Sequence, residues 1–287
     1  MKRNAIIMAA GTSSRFVPLS YEKPKGLLEV KGEILIERQI RQLLDAGIND
    51  IAVVVGYKAE MFQYLAEKYG VSLVYNSDYA IYNNTSSIIR VIDRLHNTFI
   101  CSSDNYFSYN VFKEEAKASY YAAQYARGLT GEYCLTTDEN DYIKEVSVGG
   151  HDAWYMIGHV YFNEAFSSRF SKFLEKDYES QETKMGYWED VYIRHIKELP
   201  MKIRRYETSE ISEFDNLDEL RKFDMSYIEN TRSSIIKSIC SDYGWKEEQL
   251  HNFIKKKITE TTLSFYFSVG KDAYIYDNTE EVKVKKI

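Results

Sequence analysis

An apolar run, Ala5-Ile6-Ile7-Met8-Ala9-Ala10, empties into a turn of small residues, Gly11-Thr12-Ser13-Ser14, that ends at Arg15. So short an apolar run closed by a glycine reads as a buried strand, not as a membrane span. Gly11 carries no Cβ, so the backbone N–H groups of the turn can approach an anion closely. Lys25, in Glu22-Lys23-Pro24-Lys25-Gly26-Leu27-Leu28, adds a second fixed positive charge a short way on. A triphosphate is the ligand that uses a bare turn, an arginine and a lysine together. Ala10, Gly11, Thr12, Ser13, Ser14, Arg15 and Lys25 are therefore the candidate nucleotide-binding residues. The segment is not a P-loop, because no Gly-Lys-Ser/Thr follows at the required spacing, and it is not Gly-x-Gly-x-x-Gly.

Strand and helix signals then alternate. Ile34, Ile36, Ile40, Leu43 and Leu44 recur at helical spacing up to Gly47, and Ile51 to Val55 is the next buried strand. Met61, Phe62, Leu65 and Tyr69 mark a helix ending at Gly70. Strands over 71–75 and 98–101 follow, with a helix over 85–95 between them. This rhythm predicts an α/β, Rossmann-like domain with a mostly parallel mixed sheet and helices on both faces. Beyond Asp104, strands are predicted at 133–137, 143–146, 156–162 and 203–206, and helices at 163–174, 189–199 and 216–223. Composition shifts near Asn230. A helix from Ser233 to Tyr243, a second from Lys246 to Lys257, and a hairpin of 263–269 with 273–276 are expected there. The organisation read from this pattern is a catalytic domain over 1–229 and an appendage over 230–287.

The net charge of -6 argues against nucleic acid or an acidic membrane as partner. A nucleotide site in such a chain must gather its positive charge locally, as Arg15, Lys23 and Lys25 do. Cys101, Cys134 and Cys240 form no Cys-x-x-Cys, which suits a reducing compartment and points to no zinc site. The five histidines (His96, His151, His159, His195, His251) show no metal-ligand spacing. The first apolar run is too short for a signal peptide, so a cytoplasmic protein is expected.

Asp104 stands just past a predicted buried strand, in Ser102-Ser103-Asp104-Asn105-Tyr106. The carboxyl ends of parallel strands are where open α/β sheets bind ligands. A carboxylate facing a triphosphate needs a cation between them, and Mg²⁺ takes one or two carboxylates plus phosphate oxygens. Tyr187-Trp188-Glu189-Asp190-Val191 offers the second acid, with Asp190 favoured and Glu189 as substitute. The plainer alternatives are a turn or cap residue for Asp104 and, for Asp190, an acid in the first turn of a helix.

The strand, turn, Arg15 and Lys-Pro-Lys-Gly together resemble the signature of nucleotidyltransferases that join a nucleoside triphosphate to a phosphorylated small molecule. Gly56-Tyr57, Tyr75-Asn76-Ser77-Asp78-Tyr79, Tyr82-Asn83-Asn84-Thr85-Ser86-Ser87 and Ser103-Asp104-Asn105-Tyr106 sharpen the likeness. Over roughly residues 3–225 the chain resembles the bacterial CTP:phosphocholine cytidylyltransferases, whose close relatives act on phosphonates such as 2-aminoethylphosphonate. The resemblance implies a CDP-linked product and Mg²⁺ as cofactor, with Asp104 and Asp190 holding the metal. It places Arg15 and Lys25 on the phosphates, and Tyr75, Asn76, Asn84 and Ser86 near the nucleotide. The turn departs from the family where relatives often carry a second glycine.

For the second substrate, aromatic faces attract a quaternary ammonium, and the chain holds 25 tyrosines. A cage of Tyr133, Trp154, Tyr187 and Trp188 would suit phosphocholine, whereas Glu132, Glu189 or Asp190 would serve a primary amine. Phosphocholine is favoured over 2-aminoethylphosphonate; a sugar 1-phosphate, or a catalytically silent nucleotide-binding regulator, are the alternatives. Residues from 230 onward are similar to the opening hairpin of choline-kinase-like domains, without the later parts of a kinase. That appendage is expected to pack on the main domain or to form a homodimer contact.

Overall fold

The structure, a computed structural model, describes residues 2–256 and 262–287. The chain divides into two compact units, Met1–Gly11 with Leu35–Ser212 and Thr12–Ile34 with Glu213–Ile287.

Seven strands of the first unit form one mixed sheet: β1 (Asn4–Ala9), β2 (Ile51–Val55), β3 (Ser72–Tyr75), β4 (Thr98–Ser102), β5 (Tyr120–Thr137), β6 (Ile143–Phe162) and β7 (Lys202–Arg205). Their order is β7-β5-β6-β4-β1-β2-β3. β1, β2, β3 and β4 run parallel, β6 joins them antiparallel, and β7 lies parallel to β5. Every residue of β2 is buried, as expected of a parallel strand covered on both faces. The helix Leu35–Asp45 buries Leu35, Ile36, Ile40 and Leu43. Asn163 caps the helix Glu164–Asp177 through an N–H from Phe166. That helix turns Phe166 and Phe170 toward Phe162 and Trp188, with Phe162 ring centroids 4.4 Å from Phe166 and 5.5 Å from Trp188.

Three of the predicted strands are fragments of something longer. The strand at 133–137 extends back to Tyr120, and those at 143–146 and 156–162 are one strand. Glycines and polar residues between them read as loop. In the structure β5 and β6 pair along most of their length as a two-stranded arm, with register shifts that absorb Gly128, Gly149 and Asp152 at positive φ. The predicted helix over 85–95 is broken at Val91 (φ -126°). His159 is fully buried beside Tyr120 (3.0 Å), and burial pushes its imidazole down to about 3, so it stays neutral.

In the second unit, β8 (Leu250–Lys255), β9 (Ser264–Val269), β10 (Asp272–Asp277) and β11 (Val284–Lys286) make an antiparallel sheet in chain order. The helix expected from Lys246 to Lys257 is not formed over its described part. Residues 250–255 pair with β9 instead, placing Leu250 and Phe253 inward, with Asn252 at φ 54° beside a register shift. Pairing with the neighbouring hairpin outweighs local helical spacing here. Lys257 and Thr261 lie outside the described residues. The boundary expected at residue 230 also differs from the compact units. Glu29 O accepts from the Tyr227 hydroxyl (2.7 Å) and the Asp224 carboxylate accepts the Lys31 N–H (2.7 Å), so residues 12–34 and 213–229 go with the appendage.

Gly56 follows β2, and a Cβ there would stand 2.6 Å from Tyr79 Cβ and 2.9 Å from Ala10 O. Neither neighbour is a flexible tip. Gly56→Ala is expected to destabilise the protein by about 1–3 kcal/mol through overpacking, measured by urea unfolding; an unchanged midpoint would show that the turn relaxes freely.

Candidate active site

The parallel strands of the first unit end level with one another. Ala9 pairs with Val55, Val55 with Tyr75, and Met8 with Ser102. Backbone bonds stitch the residues that follow. The Tyr57 N–H donates to Ala10 O (3.0 Å), Asn76 N–H to Val55 O (2.8 Å) and Ser103 N–H to Met8 O (3.0 Å). Gly11, Tyr57, Tyr75 and Asp104 thus share one rim at the carboxyl ends of the sheet, the place where ligands of open α/β folds bind. Tyr75 is 57% exposed there, an open ring face for a base.

Asn76 and Ser86 lie deeper. Both are fully buried, and the Asn76 amide donates to the Ser86 and Ser87 hydroxyls (2.8 and 2.9 Å) while its oxygen accepts the Asp78 N–H. The Ser86 hydroxyl donates to Asn83 O (2.7 Å). Their side-chain bonds are spent on shaping the segment 83–87. That segment is also tied to the start of the helix Trp188–Arg194. Asn84 Oδ1 accepts the Trp188 N–H (2.8 Å), Asn84 Nδ2 donates to Glu189 Oε2 (3.3 Å), and the Thr85 hydroxyl donates to Gly186 O (2.7 Å). One polar chain therefore runs from the rim at Asn76 to Glu189.

Around Glu189 and Asp190 three tyrosines converge. The Tyr121 hydroxyl donates to Glu189 Oε1 (2.9 Å) and the Tyr133 hydroxyl to Asp190 Oδ1 (3.0 Å). Tyr187 meets Tyr133 edge to face at 6.3 Å, and its ring is substantially exposed. Asp190 Oδ2 accepts the Tyr187 N–H (2.8 Å), the bond an acid in a first helical turn is placed to make. Burial, reinforced by the Asp190 charge, outweighs the hydrogen bonds from Tyr121 and Asn84 and pushes the Glu189 carboxyl up to about 7. Such a group takes up negative charge readily when a cation arrives.

The two tryptophans of the expected cage are elsewhere. Trp188 is 3% exposed and stacks on Tyr121 at 5.8 Å within the aromatic core, because helical geometry turns it inward as its neighbour Glu189 faces Tyr121 and Asn84. Trp154 makes its ring contacts with Tyr125 and, as a cation–π pair, with the Arg205 guanidinium. Glu132 is exposed on the arm, its carbonyl accepting the Cys134 thiol. Tyr121, which the sequence reading passed over, joins the cluster instead. Its position opposite Trp188 depends on the strand starting at Tyr120, which was not foreseen.

In the second unit, Ser13 adopts a left-handed conformation (φ 50°), and its carbonyl accepts the Phe16 N–H (2.9 Å) to start a short 3-10 turn over Ser14–Phe16. Thr12 is half-buried beside it. Arg15 extends into solvent, 74% exposed, with its guanidinium 2.6 Å from Asp215. An exposed pair of this kind holds with only about 0–1 kcal/mol, so an incoming phosphate can take the arginine. Asp215 was also missed, hidden in a stretch that reads as a helix cap. Lys23 is exposed, whereas Lys25 is 6% exposed with its ammonium 5.7 Å from the Phe16 ring centroid.

Among the described residues no group of three or more His, Cys, Asp or Glu is arranged to hold an ion. Asp104 and Asp190 each offer hard carboxylate oxygens, a donor type that suits Mg²⁺ with the rest of the shell coming from phosphate and water. Asp190 already accepts two hydrogen bonds, so any ligation there would use remaining lone pairs.

Comparison with known proteins agrees with this geometry. The MobA-like NTP transferase domain family matches residues 5–126. A 2-aminoethylphosphonate cytidylyltransferase of Lancefieldella rimae is 38% identical over 236 residues, 81% of this chain and 96% of that one. A choline-phosphate cytidylyltransferase of Streptococcus pneumoniae is 35% identical over 77% of this chain and 96% of its own. The solved structure of CTP:phosphocholine cytidylyltransferase from Streptococcus pneumoniae superposes with a TM-score of 0.76 at 34% identity, covering 79% of this chain and 99% of that one. The chain belongs to the nucleotidyltransferase family that holds the choline-phosphate and 2-aminoethylphosphonate cytidylyltransferases.

Proposed function

We propose that this cytidylyltransferase transfers CMP from CTP to phosphocholine, releasing pyrophosphate and forming a CDP-linked product in the cytoplasm. The carrying observation is the cluster of Glu189 and Asp190 with Tyr121, Tyr133 and Tyr187, joined by Asn84 to the segment that leads back to the rim. Both carboxylates already accept protein hydrogen bonds, so what they add for a ligand is charge beside ring faces. A quaternary ammonium needs that and no hydrogen-bond acceptor. A second reading, 2-aminoethylphosphonate, is supported by the tryptophans' absence from the cage, which leaves two acids and fewer aromatic faces.

The reaction needs no protein nucleophile. A phosphate oxygen of the acceptor forms a bond to the α-phosphorus as the α–β anhydride bond breaks, and pyrophosphate leaves with that electron pair. Catalysis is then positioning and charge stabilisation. In this reading Lys25 and Arg15 are assigned to the phosphates and Tyr75 to the base. Asp104 and Asp190 would hold Mg²⁺, which when bound neutralises triphosphate oxygens.

Pyrophosphate release with CTP and each candidate acceptor tests the reading. Phosphocholine is expected to exceed 2-aminoethylphosphonate in kcat/KM by about tenfold, from one or two cation–π contacts. The reverse order would transfer the assignment, and turnover only with a hexose 1-phosphate would refute both.

Asp104→Asn is expected to lower kcat by at least about 10²-fold with the fold intact. Turnover should stop with EDTA and return with Mg²⁺; near-normal rates in Asp104→Asn would remove Asp104 from the site, and near-normal rates in EDTA would remove the metal.

The buried Glu189 carboxyl keeps its proton up to about pH 7, whereas in the unfolded chain it loses it near its ordinary 4.5. Between those values the folded state binds more protons, so its contribution to stability falls as pH rises. Comparing wild type with Glu189→Gln by thermal unfolding from pH 4.5 to 7.5 should show that decline only in wild type. The same variant should raise the KM for phosphocholine and leave that for CTP unchanged; a parallel pair of pH curves would show that Glu189 is ionised throughout.

A further inference from the structure

The loop that carries Lys25 is fastened on both sides to residues 224–264, all within the second unit. On its amino side the Tyr21 hydroxyl donates to Ser264 O (2.9 Å), with the Tyr21 ring 6.3 Å from Phe265. The Glu22 carboxylate reaches the start of the helix Ser234–Tyr243. It accepts from the Ser233 hydroxyl, from the Ser234 N–H and hydroxyl (2.9 and 2.7 Å), and from the Ile235 N–H (3.3 Å). On the carboxyl side, the bonds of Glu29 with Tyr227 and of Lys31 with Asp224 complete the bracket.

The Glu22 anchor is the strong one. A helix N-terminus presents unpaired N–H groups and a partial positive charge. Ser233 caps the Ile236 N–H (3.1 Å), and Glu22 takes the N–H groups of Ser234 and Ile235 with a full negative charge. Only Lys23 and Pro24 separate Glu22 from Lys25, and the proline ring fixes its φ at -55°. Little slack remains to absorb a displacement of Glu22 before it reaches the buried ammonium of Lys25. The relatives described above, nearly covered by about four-fifths of this chain, leave about a fifth without counterpart.

We propose that Glu22 is a positioning residue for Lys25, anchored on the N-terminus of the helix Ser234–Tyr243, so that the C-terminal unit sets the affinity for the triphosphate. This rests on the reading that Lys25 holds the phosphates. KM for CTP, KM for phosphocholine and kcat are to be measured for Glu22→Ala, Ser234→Ala, Lys25→Ala and the Glu22→Ala/Lys25→Ala pair. Glu22→Ala should raise the KM for CTP by roughly tenfold, the loss of charge-assisted hydrogen bonds, with the acceptor KM unmoved. In the Lys25→Ala background the same change should add less than about twofold, because one route carries both losses. Ser234→Ala should act in the same direction and more weakly, and it carries the test if Glu22→Ala does not fold. An unchanged CTP KM in both Glu22→Ala and Ser234→Ala, or a full tenfold loss that persists without Lys25, would overturn the proposal. Lys25→Ala alone with normal CTP affinity would instead refute the phosphate role of Lys25, and the proposal with it.

Discussion

The start of the helix that carries Glu189 and Asp190 depends on one amide. Asn84 Oδ1 accepts the first free N–H of the helix Trp188–Arg194, and Nδ2 of the same group donates to Glu189. An amide is the one neutral side-chain group of this length that can do both at once. An aspartate there could cap the helix, yet it would set a second charge against Glu189 and drive that carboxyl further toward its neutral form. Because Asn84 belongs to the segment 83–87, which Asn76 holds from the rim, the helix start and the sheet edge are set by a single chain of hydrogen bonds. The position of Glu189 and Asp190 is thereby referenced to the same strands that present Tyr75 and Asp104.

That chain clarifies what could be read from the sequence. The parallel half of the sheet was legible, because β1, β2 and β4 are continuous apolar runs with clear stops. Asn76, Asn84 and Ser86 were legible as important residues but not as to their task, since residue type does not distinguish a side chain that faces a ligand from one that builds the loop beside it. Trp188 and Glu189 show the same limit at helical spacing: adjacent residues face different ways, and only the packing of Phe162 and Phe170 decides that the indole goes inward. The arm formed by β5 and β6 was hidden because its pairing partners lie far apart in sequence and its glycines imitate a loop. β8 was hidden for a related reason: Leu250, Phe253 and Ile254 suit either period until the hairpin supplies an edge to pair with.

Two charges illustrate how the molecule reconciles a net negative chain with an anionic ligand. Lys25 is nearly buried with its ammonium over the Phe16 ring, and an ammonium taken out of water is costly unless its surroundings compensate it. Arg15 is the reverse, exposed and paired with Asp215 at little energetic gain. The two cations proposed for the phosphates thus differ in kind: one is held in place by packing, the other sits in a surface pair weak enough to exchange.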